Sequence, residues 1–365
     1  MSKLNLSNQN SIFRIIFRSC MIFVLILSSL FIASCSGNNP VGPVNIYTGT
    51  QGVTVQFTKN NPPLEIYESS EMLILAEIWN KGAFTPDKKM YDEPIMISIN
   101  VDDVYLEILG KPTDSIFAKD EYMSLYLSGK STVWPIGEKT IIPIVSLKAN
   151  KILGTRETPT TRIEISACYQ YKTYFAESIC IDSDLYGLEK TPICKNKNTY
   201  TYSGQGAPVI VNKMDVDMIP VGVVTDPITR SVPIVNSSGG LEGIGQGIEE
   251  GESIILRPNF RIYFQNAENG VILASNEIEN PCTEGPASKG EAIRISAMLG
   301  NIPLTCARPE IKMYSNEGSV RCWIDEKDVP SQFELNRNYE LPLKLEAEYF
   351  YKVTTIRDVR IMRVS

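Results

Sequence analysis

A short motif, Ala-x-Tyr-x-Tyr-Lys, occurs twice in this chain, at residues 167–172 and again at residues 347–352. The two copies align without a gap over fifteen residues, as far as Ile181 and Ile361. Each copy closes a half of roughly 150 residues, which is the size of one domain. The repeat therefore predicts a duplicated β-domain, with the motif in the last hairpin of each half.

Apolar and polar residues alternate through the motif. Ile163, Ile165, Tyr169 and Tyr171 hold odd positions, the even positions are mostly polar, and the second copy has the same phase. A period of two indicates a strand with one buried face, so the tyrosine rings are predicted to lie in the core with each hydroxyl group bonded at its rim. An exposed aromatic platform for a ligand is the alternative, and the phase argues against it.

Short apolar segments separated by turn residues fill the rest of both halves. Seven or eight short strands and no convincing helix are predicted in the first half, and the second half repeats the order. One strand in each half ends in Asn with Gly shortly after it, at Asn80 and Gly82 and at Asn266 and Gly270. Both residue types accept left-handed backbone conformations. The predicted fold is all-β, with two tandem immunoglobulin-like antiparallel β-sandwich domains.

The predicted segments are a lipoprotein signal peptide at 1–34, a tether at 35–50, a first sandwich at 51–194, a linker at 195–205 and a second sandwich at 206–365. The second sandwich contains a glycine-rich insertion at 220–251. It lacks the strand and helix context of a dinucleotide fingerprint, so a flexible loop is predicted there.

The N-terminus has the composition of a targeting segment. Residues 21–33 are uncharged, which is long enough for the apolar part of a signal peptide and short for a membrane span. The sequence Ile-Ala-Ser-Cys at 32–35 resembles a lipobox and predicts lipid attachment at Cys35. An uncleaved anchor at 15–33, which would have to accept Arg18, is the alternative. Both interpretations place the rest of the chain outside the cytoplasm and attach it to the membrane.

Charge and composition exclude several functions. The chain has no histidine, which excludes Ser-His-Asp and Cys-His catalysis and every His-ligated metal site. The net charge of −7 and the lack of a basic run argue against a nucleic-acid partner. Two acidic pairs are candidates for acid/base chemistry or calcium binding, Asp215 with Asp217 and Asp182 with Asp184, although solvated carboxylates are the favoured interpretation of both. No cofactor, metal site or catalytic residue is predicted, and the chain is not expected to be an enzyme.

Six cysteines follow Cys20 and Cys35, and an even number in an exported protein predicts disulfides. They are Cys168, Cys180, Cys194, Cys282, Cys306 and Cys322. Cys306 and Cys322 flank a predicted hairpin and are expected to pair. If the repeat turns near Tyr174, Cys168 faces Cys180, which leaves Cys194 for Cys282. The rival scheme pairs Cys180 with Cys194 as a local loop closure.

Three features together have a family likeness: the strand ending in Asn-x-Gly, the Tyr-x-Tyr hairpin and the Gly-Gln-Gly-Ala-Pro link at 204–208. They resemble uncharacterised envelope proteins of archaeal type with paired immunoglobulin-like domains, and more loosely adhesion-related extracellular β-domains. The resemblance covers most of the mature chain. It implies a surface location and a sandwich fold, and it implies no activity.

The leading hypothesis is a lipid-anchored, extracytoplasmic, non-enzymatic module of the cell envelope with a binding or structural role. Its expected partners are the membrane, through the lipid, and other envelope proteins or surface glycans. The alternative is a carbohydrate-binding or enzyme-accessory module in which exposed aromatic residues, either Tyr200 and Tyr202 or Trp134, stack on sugar. An enzyme, the third possibility, would need a cleft with converging carboxylates.

Overall fold

The fold is all-β. The computed structural model describes residues 45–85, 95–110, 118–119, 122–154, 158–182, 194–195, 197–235, 241–273, 282, 292–328 and 338–364. Apart from one turn of 3-10 helix at Glu326–Asp328, the regular secondary structure in these ranges is strand. The predicted signal peptide, the lipid site at Cys35 and Asp184 lie outside them.

Nineteen strands make up the described part of the chain. They are β1 (Val53–Phe57), β2 (Glu65–Tyr67), β3 (Glu71–Asn80), β4 (Ile95–Val101), β5 (Leu106–Gly110), β6 (Ala118–Lys119), β7 (Tyr122–Leu125), β8 (Lys139–Ala149), β9 (Thr160–Asp182), β10 (Thr199–Thr201), β11 (Val209–Val235), β12 (Leu241–Asn266), β13 (Val271–Leu273), β14 (Ala292–Leu299), β15 (Ile302–Pro303), β16 (Thr305–Cys306), β17 (Glu310–Lys312), β18 (Glu317–Trp323) and β19 (Asn338–Met362).

These strands form three sheets. The first-half sheet has the order β1-β3-β8-β5, and the second-half sheet has the order β10-β11-β12-β18-β16. The central sheet has the order β15-β14-β19-β9-β4-β7-β6, with β2, β13 and β17 paired to its members. Because the central sheet takes strands from both halves, a continuous sheet joins them. The predicted division into two separately folded sandwiches at 195–205 is not what the structure has, and residues 45–365 form one compact unit.

The two copies of the repeat are neighbouring strands of the central sheet. β9 and β19 pair antiparallel from Thr160 and Arg360 to Asp182 and Asn338 without a break. The predicted hairpin turns near Tyr174 and Thr354 are therefore wrong. The physical reason is visible in the first copy, where residues 167–181 contain no Gly, Pro, Asn or Asp and the alternation of buried residues continues through the predicted turn.

The pairing of the repeats has two-fold symmetry. Tyr169, the counterpart of Tyr349 in the repeat, pairs with Tyr351, and Tyr171 pairs with Tyr349. Gln170 pairs with Phe350, which is its own counterpart. A two-fold axis through that last pair produces this arrangement, as in a self-complementary dimer interface. The duplicated halves thus associate as the two subunits of a dimer would, within one chain.

The four tyrosines of the repeats form the centre of the core, as the alternation predicted. Tyr169, Tyr171, Tyr349 and Tyr351 are at most 1% exposed. Neighbouring ring centroids lie 5.8–6.3 Å apart, a spacing typical of favourable aromatic pairs. Each hydroxyl group has hydrogen-bond partners, and desolvation by burial raises the pKa of all four phenols.

Equivalent tyrosines of the two repeats form hydrogen bonds with equivalent backbone positions in the two halves. The hydroxyl of Tyr169 accepts a hydrogen bond from the N–H of Val53 at 3.1 Å, and that of Tyr349 accepts one from the N–H of Val209 at 3.2 Å. Val53 pairs with Asn80 and Val209 pairs with Asn266, so both contacts occupy the same place in their half. The core therefore keeps the two-fold symmetry beyond the repeat itself.

The two Asn residues at the strand ends act through their side chains. Neither has a positive φ angle, so the left-handed conformations that the sequence allowed are not used there. The Asn80 amide donates hydrogen bonds to the carbonyls of Phe84 and Leu127, both at 3.0 Å, and the Asn266 amide donates one to the Gly270 carbonyl at 2.8 Å. Each amide fixes the turn that follows its strand.

The structure pairs the cysteines as 306–322, 180–194 and 168–282. Cys306 and Cys322 lie opposite each other on β16 and β18, as predicted. The predicted 168–180 and 194–282 pairs are wrong. Cys168 and Cys180 lie on the same unbroken strand, and twelve residues of strand span about 40 Å. The 168–282 bond instead ties the first half covalently to the second.

The glycine-rich insertion is also different from its prediction. β11 and β12 pair continuously from Val209 and Asn266 out to Val235 and Leu241, with register shifts on the way. Residues 220–235 and 241–256 are therefore a two-stranded ribbon in the structure, where a loop was predicted.

Candidate ligand-binding groove

The outer face of the second-half sheet carries the candidate site. On β12, Phe260, Ile262 and Phe264 are buried, and on β18 Val320 and Cys322 are buried. Because successive strand residues point to opposite faces, the residues between them face outward. The sequence pattern that builds the core in this half thus also builds an outer surface.

A groove of about 640 Å³ lies on this outer face. Strands β12 and β18 form one side of the groove, and the segment that leads into β17 forms the other side. Its polar and aromatic lining includes Arg261, Tyr263, Arg308, Lys312, Tyr314 and Arg321. This volume is within the range of ligand sites in proteins.

Basic side chains dominate the groove. Arg261, Arg308, Lys312 and Arg321 line it together with two acidic residues, Glu310 and Glu317. Glu310 is engaged by Arg294 at 3.8 Å. In the part of the chain that the structure describes, none of the four basic side chains takes part in an ion pair or a hydrogen bond. Among the described residues, the groove therefore presents four cations without a counter-ion.

Two of these cations face each other directly. Arg261 of β12 is the cross-strand partner of Arg321 of β18. Like charges at opposed positions of a sheet are destabilising, so this pair needs a reason other than stability. An anionic ligand lying across the two guanidinium groups would remove the repulsion. Arginine suits that role because its planar fork bonds carboxylate, sulfate and phosphate in pairs.

The nearest carboxylate across the strands is already occupied. Asp215 lies opposite Arg261 on β11, but its oxygens accept hydrogen bonds from Thr199 at 2.8 Å and from Lys213 and Tyr263 at 3.0 Å each. Desolvation raises the pKa of Asp215, and these three hydrogen bonds outweigh it and lower the pKa. The carboxylate of Asp215 holds the Tyr263 ring in place and does not pair with Arg261.

Two aromatic rings complete the groove. Tyr263 is held by Asp215, and the Lys213 ammonium group lies 4.8 Å from its ring centroid. Tyr314 is 71% exposed and begins a tight turn in which Ser315 and Asn316 have positive φ. Tyr263 is half-buried and Tyr314 is exposed, so both rings offer apolar contact area to a ligand in the groove.

The residues predicted to stack on sugar are not brought together. Tyr200 is buried, and Tyr202 is half-buried with its ring 4.7 Å from that of Phe175. Trp134 is exposed, but it precedes β8 of the first-half sheet. Tyr200 and Tyr202 therefore present no exposed platform to a sugar. The exposed Trp134 belongs to the other half of the chain.

Asp215 and Asp217, the predicted carboxylate pair that lies within the described residues, do not converge on a shared site either. The carboxylate oxygens of Asp215 are occupied by hydrogen bonds, and the side chain of Asp217 is exposed. Within the described ranges, no three His, Cys, Asp or Glu side chains converge as metal ligands would. Among the same residues, no helix has the length and apolar composition of a membrane span.

Comparison with known proteins adds little. No family model matches the sequence, and no curated protein matches it. Among solved structures, the C-terminal domain of the AgI/II polypeptide BspA from Streptococcus agalactiae aligns with 86% of this chain and 100% of that domain, at 7% sequence identity and a TM-score of 0.21. A superposition of that quality carries no argument about fold or function, and the resemblance to archaeal-type envelope proteins gains no support from it.

The groove was missed in the sequence for a physical reason. Its basic residues are spread from 261 to 321 and alternate with acidic ones, so no basic run marks them. Only the pairing of β12 with β18 puts Arg261 beside Arg321. The available signal was that both arginines fall on the outward phase of their strands.

Proposed function

We propose that this protein is a lipid-anchored, extracytoplasmic binding module without enzymatic activity, and that the groove of the second-half sheet holds its ligand. The lipobox at 32–35 supports the anchor, and three disulfides support an oxidising compartment. Asp215 is occupied by hydrogen bonds and Asp217 is exposed to solvent, which agrees with a binding role for this sheet.

The ligand class that fits the groove is an acidic polysaccharide. The facing pair Arg261–Arg321, which has no counter-ion among the residues that the structure describes, is the observation that carries this proposal. Carboxylate or sulfate groups would bond the arginines, and sugar rings would pack on Tyr263 and Tyr314. The ligand is thus a glycan, as in the alternative hypothesis, but the residues that hold it are different ones.

Titration calorimetry with two acidic polysaccharides and one neutral one tests this proposal. Heparin supplies sulfate groups, polygalacturonate supplies carboxylates, and dextran has neither. We expect binding of at least one acidic polymer and none of dextran. Replacing both arginines, R261Q/R321Q, should weaken binding by a factor of 100 or more, since each charge-assisted hydrogen bond contributes about 1.5–3 kcal/mol.

The matched control is K151Q/K344Q, which removes two exposed charges outside the groove and should bind like the wild type. Equal binding by both variants would show that net charge alone attracts the polymer, and the groove would be dismissed as the site. Binding of polyglutamate in preference to both polysaccharides would redirect the proposal to an acidic protein.

A further inference from the structure

An exposed apolar loop lies at one end of the first-half sheet. Residues 131–137, which we name the tip loop, precede β8. Val133, Trp134 and Ile136 within it are 78%, 64% and 62% exposed. Three large apolar side chains presented by one short loop are unusual on a soluble surface and mark a site of interaction.

The tip loop is ordered by its own hydrogen bonds. The Ser131 N–H donates to the Trp134 carbonyl at 2.9 Å, and the Trp134 N–H donates to the Ser131 hydroxyl at 2.9 Å. The Gly137 N–H donates to the same Trp134 carbonyl at 3.1 Å. The indole N–H of Trp79 donates to the Ile136 carbonyl at 2.8 Å, which fastens the loop to β3. The fold therefore holds these apolar side chains out toward the surroundings.

Lysines surround the base of the loop. The ammonium groups of Lys81 and Lys139 lie 4.6 and 5.3 Å from the Trp79 ring centroid. Lys81 and Lys130 both line a cleft of about 310 Å³ at the base of the loop, next to Trp79 and Ile136. Lys139 is paired with Glu77 at 2.8 Å. Lys81 and Lys130 have no carboxylate partner among the described residues, so they are the cations that a neighbouring surface would meet. An apolar tip above a basic collar is the pattern of a segment that lies in a lipid headgroup layer.

The start of the compact unit lies beside this collar. The Lys130 ammonium donates to the Thr48 carbonyl at 2.9 Å, and the Gly206 N–H donates to the Gly49 carbonyl at 2.7 Å. Cys35 precedes Asn45 by ten residues, so the chain between them reaches at most about 35 Å. A lipid on Cys35 would therefore hold this end of the molecule near the bilayer.

We infer that the tip loop docks on the lipid surface, with Val133, Trp134 and Ile136 in the interfacial layer and Lys81 and Lys130 against phosphate groups. The membrane is then contacted at two points, the lipid on Cys35 and the tip loop, and each adds to the strength of attachment. The orientation argument rests on the lipid anchor of the proposed function. The loop itself is a separate site from the acidic-ligand groove.

Vesicle binding by residues 45–365, which contain the whole described core and lack Cys35, tests the loop independently of the anchor. The probes are phosphatidylcholine vesicles, with and without a third of phosphatidylglycerol, assayed by co-sedimentation and by quenching of tryptophan fluorescence with brominated lipid. We expect binding to both vesicle types, stronger with phosphatidylglycerol. The V133S/W134S/I136S variant should lose at least tenfold in partition coefficient.

The control is L64S/L153S/V364S, which removes three other exposed apolar side chains and should bind like the wild type. Leu153 follows β8, whereas the tip loop precedes it, so about 35 Å of strand separates them. Absence of vesicle binding, or equal loss in both triple variants, would overturn the inference and leave lipidation at Cys35 untouched. Conversely, an unlipidated Cys35 would overturn the anchor while vesicle binding through the loop persisted.

Discussion

Glu268 is a half-buried carboxyl group beside the tyrosines of the core, and its titration should be visible in the stability of the protein. One side-chain oxygen, Oε2, is buried without a hydrogen-bond partner. Desolvation raises the pKa of Glu268 to about 7, against the opposing effects of a hydrogen bond from the Gly52 backbone and the charge of Lys81. Tyr169, Tyr171 and Tyr351 are the other titratable groups within reach, and all three stay neutral at these pH values.

The sign and size of the effect follow from the two pKa values. The folded protein holds the proton up to about pH 7, whereas the unfolded chain releases it near 4.5. The stabilisation from protonated Glu268 is therefore fully present below pH 4.5 and is lost as the pH rises through 7. At about 1.4 kcal/mol per pH unit, the loss amounts to about 3 kcal/mol.

The chain is well suited to this measurement because it has no histidine that would titrate in the same window. Urea unfolding at half-unit steps from pH 4.5 to 8.5 should show the free energy of unfolding of the wild type falling relative to that of E268Q by about 3 kcal/mol. The E107Q variant, at an exposed position, should run parallel to the wild type. If E268Q also runs parallel to the wild type, Glu268 is not held protonated and the argument from burial fails.

Three further predictions follow from the core, the disulfides and the N-terminus. Y351F should lower the free energy of unfolding by about 1–3 kcal/mol, because it leaves the Asn266 oxygen and the Gly270 N–H without their partner. The control Y314F, at an exposed position, should stay within about 0.5 kcal/mol of the wild type. Peptide mapping without reduction should recover one peptide that joins Cys168 to Cys282 and another that joins Cys180 to Cys194; a peptide joining Cys168 to Cys180 would contradict an unbroken β9. Mass spectrometry of the membrane fraction should find Cys35 as a lipid-modified N-terminus, and an intact Met1 there would refute lipidation.

Around the repeat, local patterns in the sequence were sufficient to predict the strands and their buried face. The alternation around Tyr169 and Tyr349 identified the element type, its buried face and the central place of the rings, because these depend only on the period of the strand. The two Asn residues at strand ends were also recognised, although their role is played by side-chain amides and not by backbone conformation.

Long-range pairing could not be predicted in the same way. The alternation of apolar and polar residues is the same whether the motif folds back on itself or pairs with its other copy. The pattern therefore does not identify the partner strand. The prediction of hairpins then led to the wrong cysteine pairs, because a turn near Tyr174 was what placed Cys168 opposite Cys180. The absence of Gly, Pro, Asn and Asp from residues 167–181 was the signal that favoured one long strand.

The two halves share one core but have different outer faces. Counting back from the equivalent residues Asn80 and Asn266, Tyr263 of the groove corresponds to Glu77, which binds Lys139 in the first half. The groove therefore has no counterpart in the first-half sheet. Inward-facing residues are constrained by the two-fold packing of the tyrosines, whereas outward-facing residues take no part in that packing and are free to differ. A duplicated β-domain of this kind can thus carry a ligand groove on one half and a lipid-docking loop on the other without disturbing the shared core.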